Sequence, residues 1–193
     1  MVKVGIMGAA GYTGYELINI FARHGEAQVV FATSGSNAGQ RMCDIYPCPW
    51  DTPLIDPAQA PLGKADVVFL CTPHGASAQW AARVLEAGAR CIDLSADLRL
   101  HDRSVYEKWY QPHTAPQLLP LAVYGLTELY RAQVASATLV ANPGCYPTGP
   151  ILALAPLLQA GAVRGERIII DAASGVSGAG AKPTPTVHFV TVH

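Results

Sequence analysis

One short stretch of the sequence decides the fold, and it reads Val2-Lys3-Val4-Gly5-Ile6-Met7-Gly8-Ala9-Ala10-Gly11-Tyr12-Thr13-Gly14. Its first six residues form a short apolar run, which is typical of a buried strand. Residues 12–24 then repeat apolar side chains at helical spacing, at Leu17, Ile18 and Phe21. Because the glycines separate these two patterns, the stretch predicts a strand, a tight turn and a helix in direct succession.

Further apolar runs predict a parallel sheet. Residues 28–33, 66–71 and 90–94 lack strict polar alternation, as expected of strands with helices on both faces. Two more strands are predicted at 138–141 and 167–172, and two more helices at 74–87, ending at Gly88, and at 146–160. Residues 34–64 and 100–137 are rich in Pro, Gly and polar residues, and we interpret them as long functional loops with short helices. The pattern predicts an α/β fold, a Rossmann-like doubly wound parallel sheet.

Composition and charge narrow the class of protein. Half of the 193 residues are hydrophobic and 14% are charged, which is typical of a globular protein. A formal net charge of -1 gives no electrostatic reason to expect a nucleic-acid partner. No apolar run is long enough to span a membrane, and no signal peptide precedes the first strand. We therefore expect a cytoplasmic protein with neither a membrane nor a nucleic-acid partner.

The five cysteines are odd in number and scattered, which is unlike a disulfide framework. Cys71 and Cys91 adjoin strand-like runs and are interpreted as buried thiols. Cys43 and Cys48 lie in a Pro-rich segment without a second Cys/His pair at zinc spacing, so we expect no metal site. Only Cys145 has surroundings that suggest chemistry.

The glycine-rich turn has the spacing G-x-x-G-x-x-G, a variant of the dinucleotide-binding fingerprint. Glycines let the backbone approach a pyrophosphate closely, and the start of the following helix supplies free N–H donors and the positive end of a dipole. The candidate cofactor-binding residues in this turn are Gly8, Ala10, Gly11, Tyr12, Thr13 and Gly14. The alternative is a plain tight turn.

The end of the second predicted strand indicates which dinucleotide is bound. An NAD-specific domain places Asp or Glu there to bond the ribose hydroxyls, whereas this sequence reads Thr33-Ser34-Gly35-Ser36. No carboxylate would repel a 2′-phosphate, and Arg41 lies nearby to bind one. The sequence therefore favours NADP(H), with Thr33, Ser34 and Ser36 as candidate contacts.

A second candidate cofactor loop follows the third predicted strand. Cys71, Thr72 and Pro73 lie at the carboxyl edge of the sheet, where ligands of open α/β sheets bind. His74 comes next, and we interpret it as a helix-start or packing residue in preference to a proton shuttle.

Cys145 follows a predicted strand and precedes an apolar helix. At a helix N-terminus, the dipole and the unpaired N–H groups favour the thiolate, which is the nucleophile that acyl transfer needs. A lone cysteine there is more often structural. A nicotinamide domain on its N-terminal side favours catalysis, because thioester formation followed by hydride transfer unites the two parts.

Five segments together resemble N-acetyl-gamma-glutamyl-phosphate reductase, in order along essentially the whole chain. They are residues 8–14, Asp93-Leu94-Ser95-Ala96-Asp97-Leu98-Arg99-Leu100, Val123-Tyr124-Gly125-Leu126, Asn142-Pro143-Gly144-Cys145-Tyr146-Pro147-Thr148 and Ser174-Gly175-Val176-Ser177-Gly178-Ala179-Gly180. The cysteine and serine-glycine motifs are more specific than the glycine turn, and they separate this sequence from aspartate-semialdehyde dehydrogenase.

The resemblance implies an enzyme of acetylated arginine biosynthesis that reduces N-acetyl-glutamyl phosphate to N-acetyl-glutamate semialdehyde with NADPH. It implies that Cys145 is the catalytic nucleophile and that the substrate is bound by Ser95, Arg99, Asn142, Ser174 and Gly175. A guanidinium can grip a phosphate or carboxylate with two parallel hydrogen bonds, which suits Arg99, although a surface salt bridge is its alternative. The loop of residues 174–180 could equally be an ordinary Gly-rich connection.

The resemblance also implies more protein than this sequence contains. Members of the family carry a downstream His-Arg-His-type motif as general acid/base and the rest of a mixed α+β dimerisation domain. We therefore expect residues 1–144 to be the cofactor domain and 145–193 the start of the catalytic domain, with a homo-oligomer in the full-length form and an inactive chain in isolation. The alternatives are a related dehydrogenase with an aminoadipyl or aspartyl substrate, and a non-catalytic NADP-binding sensor.

Overall fold

The computed structural model describes residues 1–181, and His188 and His193 lie outside them. The chain divides into two compact units between Pro143 and Gly144, which are considered separately below. The strands are β1 Val2–Met7, β2 Ala27–Ala32, β3 Val67–Leu70, β4 Arg90–Asp93, β5 Val123–Tyr124 and β6 Leu139–Ala141. The helices are α1 Tyr12–Phe21, α2 Met42–Ile45, α3 Ser77–Glu86, α4 Arg103–Trp109, α5 Thr127–Ser136 and α6 Cys145–Gln159.

The first unit is built on one six-stranded sheet in the order β2-β1-β3-β4-β6-β5. Every neighbouring pair is parallel, so all the carboxyl ends lie along one edge. The chain leaves β1 toward β2 and then returns to the other side of β1 to form β3. This reversal opens a crevice beside the end of β1, which is where α/β sheets bind ligands. The predicted doubly wound parallel sheet is confirmed.

Apolar side chains fill both faces of this sheet. Val4 and Ile6 of β1 pack with Ile18 of α1 in one buried cluster. Val68 and Leu70 of β3 belong to the other buried cluster, together with the α3 residues Ala78, Ala81 and Val84. Burial on both faces explains why the strands show continuous apolar runs in place of polar alternation.

Two features of the chain differ from the sequence expectations. The edge strand β5 was not predicted, because two residues are too few to show a periodicity, although Val123 and Tyr124 pair with Val140 and Ala141. The strand predicted at 167–172 is wrong. Within the described part of the second unit no strand pairs with these residues, and Ile169 is 88% exposed. An apolar run without a partner strand cannot satisfy its backbone N–H and C=O groups as a sheet does.

The long segment after β2 holds α2 and two short 3-10 turns, Pro57–Gln59 and Leu62–Lys64, as expected of a loop with short helices. The segment after β4 contains α4, the strand β5 and α5, which is kinked at Tyr130. Among residues 1–181, no helix combines the length and the apolar character needed to cross a membrane.

Candidate functional site

The glycine turn lies at the carboxyl end of β1, and its first glycine is required by the backbone. Gly8 has a φ of +81°, a conformation that L side chains rarely adopt. A Cβ on Gly8 would stand 2.6 Å from the carbonyl oxygen of Cys71, which is backbone and cannot rotate away. The turn is tied to the end of β2 as well, because the N–H of Ala9 donates to the carbonyl of Thr33 at 2.7 Å. The turn is thus fixed between the ends of β2 and β3.

The other two glycines serve different purposes. Gly14 is buried in α1, and a Cβ there would stand 2.5 Å from the Cα of Ala9, so Gly14 lets the helix pack directly on the turn. Gly11 is exposed and precedes α1 with no side chain capping the helix. The first amides of α1 therefore lack a side-chain partner, and no side chain stands at Gly11 to block them. Such a cradle of N–H groups fits a pyrophosphate.

One contact to the turn was missed at the sequence level. Tyr46 is the residue that directly follows α2. Its hydroxyl donates to the carbonyl of Ala10 at 3.1 Å, and its ring stacks on that of Tyr15 with centroids 4.7 Å apart. Burial raises the pKa of the Tyr46 phenol, which keeps it a donor. Tyr46 lies far from the turn in sequence, and no local pattern signals the contact.

The hydroxyls at the end of β2 differ in their availability. Thr33 is fully buried, and its Oγ1 accepts from the N–H of Gly8 at 3.3 Å, so it holds the glycine turn from inside. Ser34 is also buried and accepts from the N–H of Asn37 at 3.2 Å. Ser36 is exposed.

Arg41 is exposed too, and it forms a two-pronged contact with Asp44, with N–O distances of 2.7 and 2.9 Å. Hydrogen bonding from Arg41 lowers the pKa of the Asp44 carboxyl.

The loop after β3 is held by side chains on both sides. The thiol of Cys71 is partly buried, and burial raises its pKa to about 12, which disfavours the thiolate. The hydroxyl of Thr72 is hydrogen-bonded to that of Ser77 in the first turn of α3. His74 is exposed, and its Nδ1 accepts the backbone N–H of Ala96 at 2.9 Å. This contact packs His74 against the segment after β4, two residues before Ala76, the N-cap of α3.

Next to this loop, the residues after β4 form a buried polar network; the sequence predicted Ser95 as a substrate contact but gave no sign of this network. Asp93 accepts hydrogen bonds from the N–H and the hydroxyl of Ser95, at 2.9 and 2.8 Å, and burial raises the pKa of its carboxyl. The hydroxyl of Ser95 also accepts from the N–H of Asp97 at 3.0 Å. Ser95 is 2% exposed, so its hydroxyl is committed to this network.

Arg99 bridges the segments that follow β4 and β6. Its Nε donates to the carbonyl of Asn142 at 2.8 Å, and one Nη donates to the carbonyl of Leu94 at 2.8 Å. Among the described residues it takes part in no salt bridge. A guanidinium has five N–H donors, so these two contacts leave others for a ligand. Asn142 is half-buried, and its backbone N–H donates to the carbonyl of Asp93 at 2.8 Å.

The second unit presents Cys145 as the first residue of the 15-residue helix α6. Cys145 is exposed, and Gly144 before it supplies no side-chain cap to the helix. Thr148 donates its hydroxyl to the carbonyl of Gly144 at 2.7 Å, which ties the first turn together. The amides at the helix start are therefore not occupied by a capping side chain. In the same unit, Ser174 is exposed and Gly175 precedes a short 3-10 turn, Val176–Ala179.

Two family profiles match the chain. The profile described as semialdehyde dehydrogenase, NAD binding domain, matches residues 3–137, and the profile described as semialdehyde dehydrogenase, dimerisation domain, matches residues 145–193. Since the first covers more than half of the sequence, the chain belongs to the semialdehyde dehydrogenase family. The NAD binding domain of this family implies a nicotinamide cofactor, which fits the cradle at Gly8, Gly11 and Gly14.

The resemblance to N-acetyl-gamma-glutamyl-phosphate reductases is confirmed by curated relatives. The reductase of Symbiobacterium thermophilum is 52% identical over 196 residues, with 100% of this chain and 56% of the relative covered. That of Pseudomonas aeruginosa is 50% identical over 93% of this chain and 54% of the relative. The chain thus spans about half the length of the curated relatives it matches.

Solved structures support the fold. Aspartate semialdehyde dehydrogenase II of Vibrio cholerae, complexed with ASA, aligns with a TM-score of 0.62 at 19% identity, covering 83% of this chain and 47% of that one. The Candida albicans aspartate semialdehyde dehydrogenase with NADP aligns with a TM-score of 0.52 at 16% identity, over 83% and 47% of the two chains. At these identities the likeness concerns the fold alone.

Proposed function

We propose that this chain carries the cofactor domain, residues 1–144, and the nucleophile-bearing start of the catalytic domain, residues 145–193, of an N-acetyl-gamma-glutamyl-phosphate reductase. The reaction is the NADPH-dependent reduction of N-acetyl-glutamyl 5-phosphate to N-acetyl-glutamate 5-semialdehyde with release of phosphate, a step of arginine biosynthesis. The relatives that are about half identical to the chain carry this name.

The observation that carries the proposal is the setting of Cys145. It is exposed at the start of a long helix with no side-chain cap, in a chain that belongs to the semialdehyde dehydrogenase family. The other thiols are less accessible: Cys91 is buried, and Cys43, Cys48 and Cys71 are partly buried. Cys145 is therefore the thiol best suited to attack a substrate.

Cys145 performs the chemistry in two stages. Its thiolate attacks the acyl carbon, the helix-start N–H groups stabilise the tetrahedral oxyanion, and phosphate leaves to give a thioester. The glycine cradle of residues 8–14 would hold NADPH, which would supply the hydride for reduction of the thioester carbonyl. The carbon–sulfur bond then breaks, the semialdehyde leaves and the Cys145 thiolate is restored.

The residues at the carboxyl edge of the sheet hold the cofactor. The turn from Gly8 to Gly14 binds the pyrophosphate, and the loop of Cys71, Thr72 and Pro73 lies beside the cofactor at the end of β3. NADP is preferred because no carboxylate stands between Thr33 and Ser36. Ser36 and Arg41 are the exposed side chains that would bind a 2′-phosphate, in competition with Asp44 for the guanidinium of Arg41, and Ser34 and Thr33 shape the backbone beneath them.

The substrate phosphate or carboxylate is bound by Arg99, whose remaining N–H donors are free of the two backbone contacts that fix its position. Asn142 in the first unit, and Ser174 and Gly175 in the second, are further proposed substrate contacts. Ser95 acts from the interior, through its bonds to Asp93 and Asp97. The match of residues 145–193 to a dimerisation domain supports a homo-oligomer for the whole protein.

Intact-mass spectrometry tests the nucleophile. The purified chain is mixed with N-acetyl-glutamyl phosphate in the absence of NADPH, and peptide mapping locates the acyl group. We expect one N-acetyl-glutamyl adduct on Cys145, because acyl transfer to the thiolate needs neither hydride nor a general acid for phosphate departure. The Cys145→Ser variant should form none, since a serine hydroxyl lacks thiolate character.

Matched controls define what the adduct means. Cys43→Ser removes another partly accessible thiol and should leave the adduct unchanged. An adduct that persists in Cys145→Ser would refute the assignment of the nucleophile. Aspartyl phosphate or an aminoadipyl phosphate acylating Cys145 at an equal rate would refute the acetylglutamyl substrate and favour a related semialdehyde dehydrogenase.

A further inference from the structure

The strand order divides the proposed cofactor site into two halves. The ribose of the adenosine half binds at the end of the second strand, and the pyrophosphate binds at the turn after the first. In this sheet β2 lies on one side of β1 and β3 on the other. The nicotinamide half must therefore extend over the ends of β3 and β4, where residues 71–76 and 94–99 form the edge.

Two direct contacts join these edge segments. The carboxylate of Asp97 accepts the backbone N–H of Gly75 at 2.7 Å, and the N–H of Ala96 donates to Nδ1 of His74 at 2.9 Å. Because each segment supplies one donor and one acceptor, neither can shift along the other without breaking a hydrogen bond. We call this pair of contacts the clamp.

Asp97 has more partners than a surface carboxylate would keep. It is 1% exposed, and its second oxygen accepts the N–H of Ala78 in the first turn of α3 at 3.1 Å. Tyr106 donates its hydroxyl to the first oxygen at 3.0 Å. Residue Ala76 at the helix start has no capping side chain, so Asp97 supplies the cap from a different segment.

The loop that Asp97 holds contains a glycine in the left-handed region. Gly75 has a φ of +85°, and a Cβ on it would overlap the side chain of Gln111. The amide held by Asp97 therefore belongs to a turn two residues after Pro73, next to Thr72 and Pro73, the proposed cofactor contacts.

We propose that Asp97 is a positioning residue for the nicotinamide half of the cofactor site, acting through the clamp, in which Asp97 binds the N–H of Gly75 and the N–H of Ala96 binds His74. The inference rests on the proposed cofactor binding. Asp97 does not touch the cofactor; it fixes the backbone of residues 72–75, over which the nicotinamide half lies. The adenosine half, at the end of β2, is outside its reach.

The test compares two ligands on the whole chain. NADPH spans both halves of the site, whereas adenosine 2′,5′-bisphosphate occupies only the adenosine half. In Asp97→Asn, an amide N–H₂ replaces one acceptor and opposes a backbone N–H donor. We expect the affinity for NADPH, measured by fluorescence titration, to fall about tenfold, as for a lost charge-assisted hydrogen bond, while the affinity for adenosine 2′,5′-bisphosphate stays within about twofold.

A control variant separates positioning from general loss of stability. Tyr106→Phe removes one partner of Asp97 but keeps both backbone contacts, so the ratio of the two affinities should equal that of the parent. The proposal would be overturned if the ratio of the affinity for NADPH to that for adenosine 2′,5′-bisphosphate fell as much in Tyr106→Phe as in Asp97→Asn. It would also be overturned if Asp97→Asn folded and bound NADPH as the parent does.

His74 gives an independent test if Asp97→Asn fails to fold. His74→Ala removes the other contact of the clamp at an exposed position, and His74→Asn keeps an acceptor for the N–H of Ala96. The proposal expects NADPH to be weakened selectively in the first and restored in the second, and an unchanged ratio in His74→Ala would overturn it. Failure of the parent to bind either ligand would instead refute the proposed cofactor binding.

Discussion

We expect the same substitution at two glycines of the cofactor turn to affect stability differently. Alanine at Gly14 should damage both the fold and NADPH binding, whereas alanine at Gly11 should damage NADPH binding alone. The distinction follows from what an added Cβ meets at each position. At Gly14 it would stand 2.5 Å from the Cα and 2.7 Å from the carbonyl oxygen of Ala9, whereas at Gly11 its nearest neighbour is the carbonyl oxygen of Gly8 at 3.7 Å.

The effect at Gly14 is the difference of two terms. Overpacking a well-filled interior usually destabilises by about 1–3 kcal/mol, and the contacted atoms at Ala9 are backbone, which favours the upper part of that range. Alanine is the better helix former by about 1 kcal/mol, which offsets part of the loss. We expect Gly14→Ala to lower the free energy of unfolding by roughly 1–2 kcal/mol. Because α1 must move away from the turn, NADPH binding should weaken as well.

At Gly11 the two stability terms nearly cancel. The residue has φ −81° and ψ 162°, which alanine adopts without strain, so restricting the unfolded chain should stabilise by about 0.4–1 kcal/mol. Alanine is a poorer residue than glycine at the start of a helix, by a similar amount. Stability should therefore stay within about 0.5 kcal/mol of the parent. The new methyl group nevertheless occupies the space that the pyrophosphate needs.

Urea unfolding and fluorescence titration with NADPH, run on both variants and the parent, measure the two effects. The expected pattern is a lower unfolding midpoint only for Gly14→Ala and weaker NADPH binding for both. If Gly11→Ala binds NADPH as tightly as the parent while keeping its stability, the pyrophosphate does not lie against this turn and the cofactor assignment fails.

Three further outcomes test other parts of the molecule. Ser34→Asp should reverse the preference from NADPH to NADH in the same titration, because the carboxylate can still accept the N–H of Asn37 but repels a 2′-phosphate; equal affinity of the parent for both cofactors would count against this. Asp102→Ala should lower the melting temperature by removing the cap that hydrogen-bonds Ser104. Hydrogen bonding to Ser104 lowers the pKa of Asp102. The difference in melting temperature between the variant and the parent should therefore be present at a pH above the ordinary carboxyl pKa and should vanish as the pH falls through the lowered pKa of Asp102. The purified chain should self-associate through apolar residues within 150–172, and Ile169→Lys, at a side chain 88% exposed, should reduce light scattering; a parent that is monomeric at all concentrations would contradict it.

The elements that could be predicted from the sequence are those whose requirements are local. Apolar runs at β1, β3 and β4 indicate strands covered on both faces, and the glycines at 8, 11 and 14 indicate a tight turn, in which positions 8 and 14 leave no room for a side chain. The start of α6 at Cys145 is equally local, because a strand, a Pro-Gly pair and an apolar helix follow one another directly. Each of these signals acts within a few residues, so the sequence displays it.

The elements that could not be predicted depend on partners far away in the chain. The two-residue strand β5 exists because Val140 and Ala141 offer it an edge, and the run at 167–172 is not a strand because the described residues offer it none. Both segments are apolar, but only the segment with a neighbouring strand to pair with forms a strand. Short segments at an edge therefore escape a reading based on periodicity.

The same reasoning separates the two kinds of site residue. The backbone forms the cofactor cradle. A pyrophosphate can approach the backbone closely only where side chains are absent, so the spacing of the glycines shows the cradle in the sequence. The network around Asp97 is made by side chains that meet backbone donors about twenty positions away, as the bonds to Gly75 and Ala78 do. An Asp that caps a distant helix is indistinguishable in sequence from an Asp that caps its own turn. A residue that binds a distant segment is recognised only when the two segments are known to be neighbours. The clamp therefore required the structure, whereas the glycine turn could be predicted from the sequence.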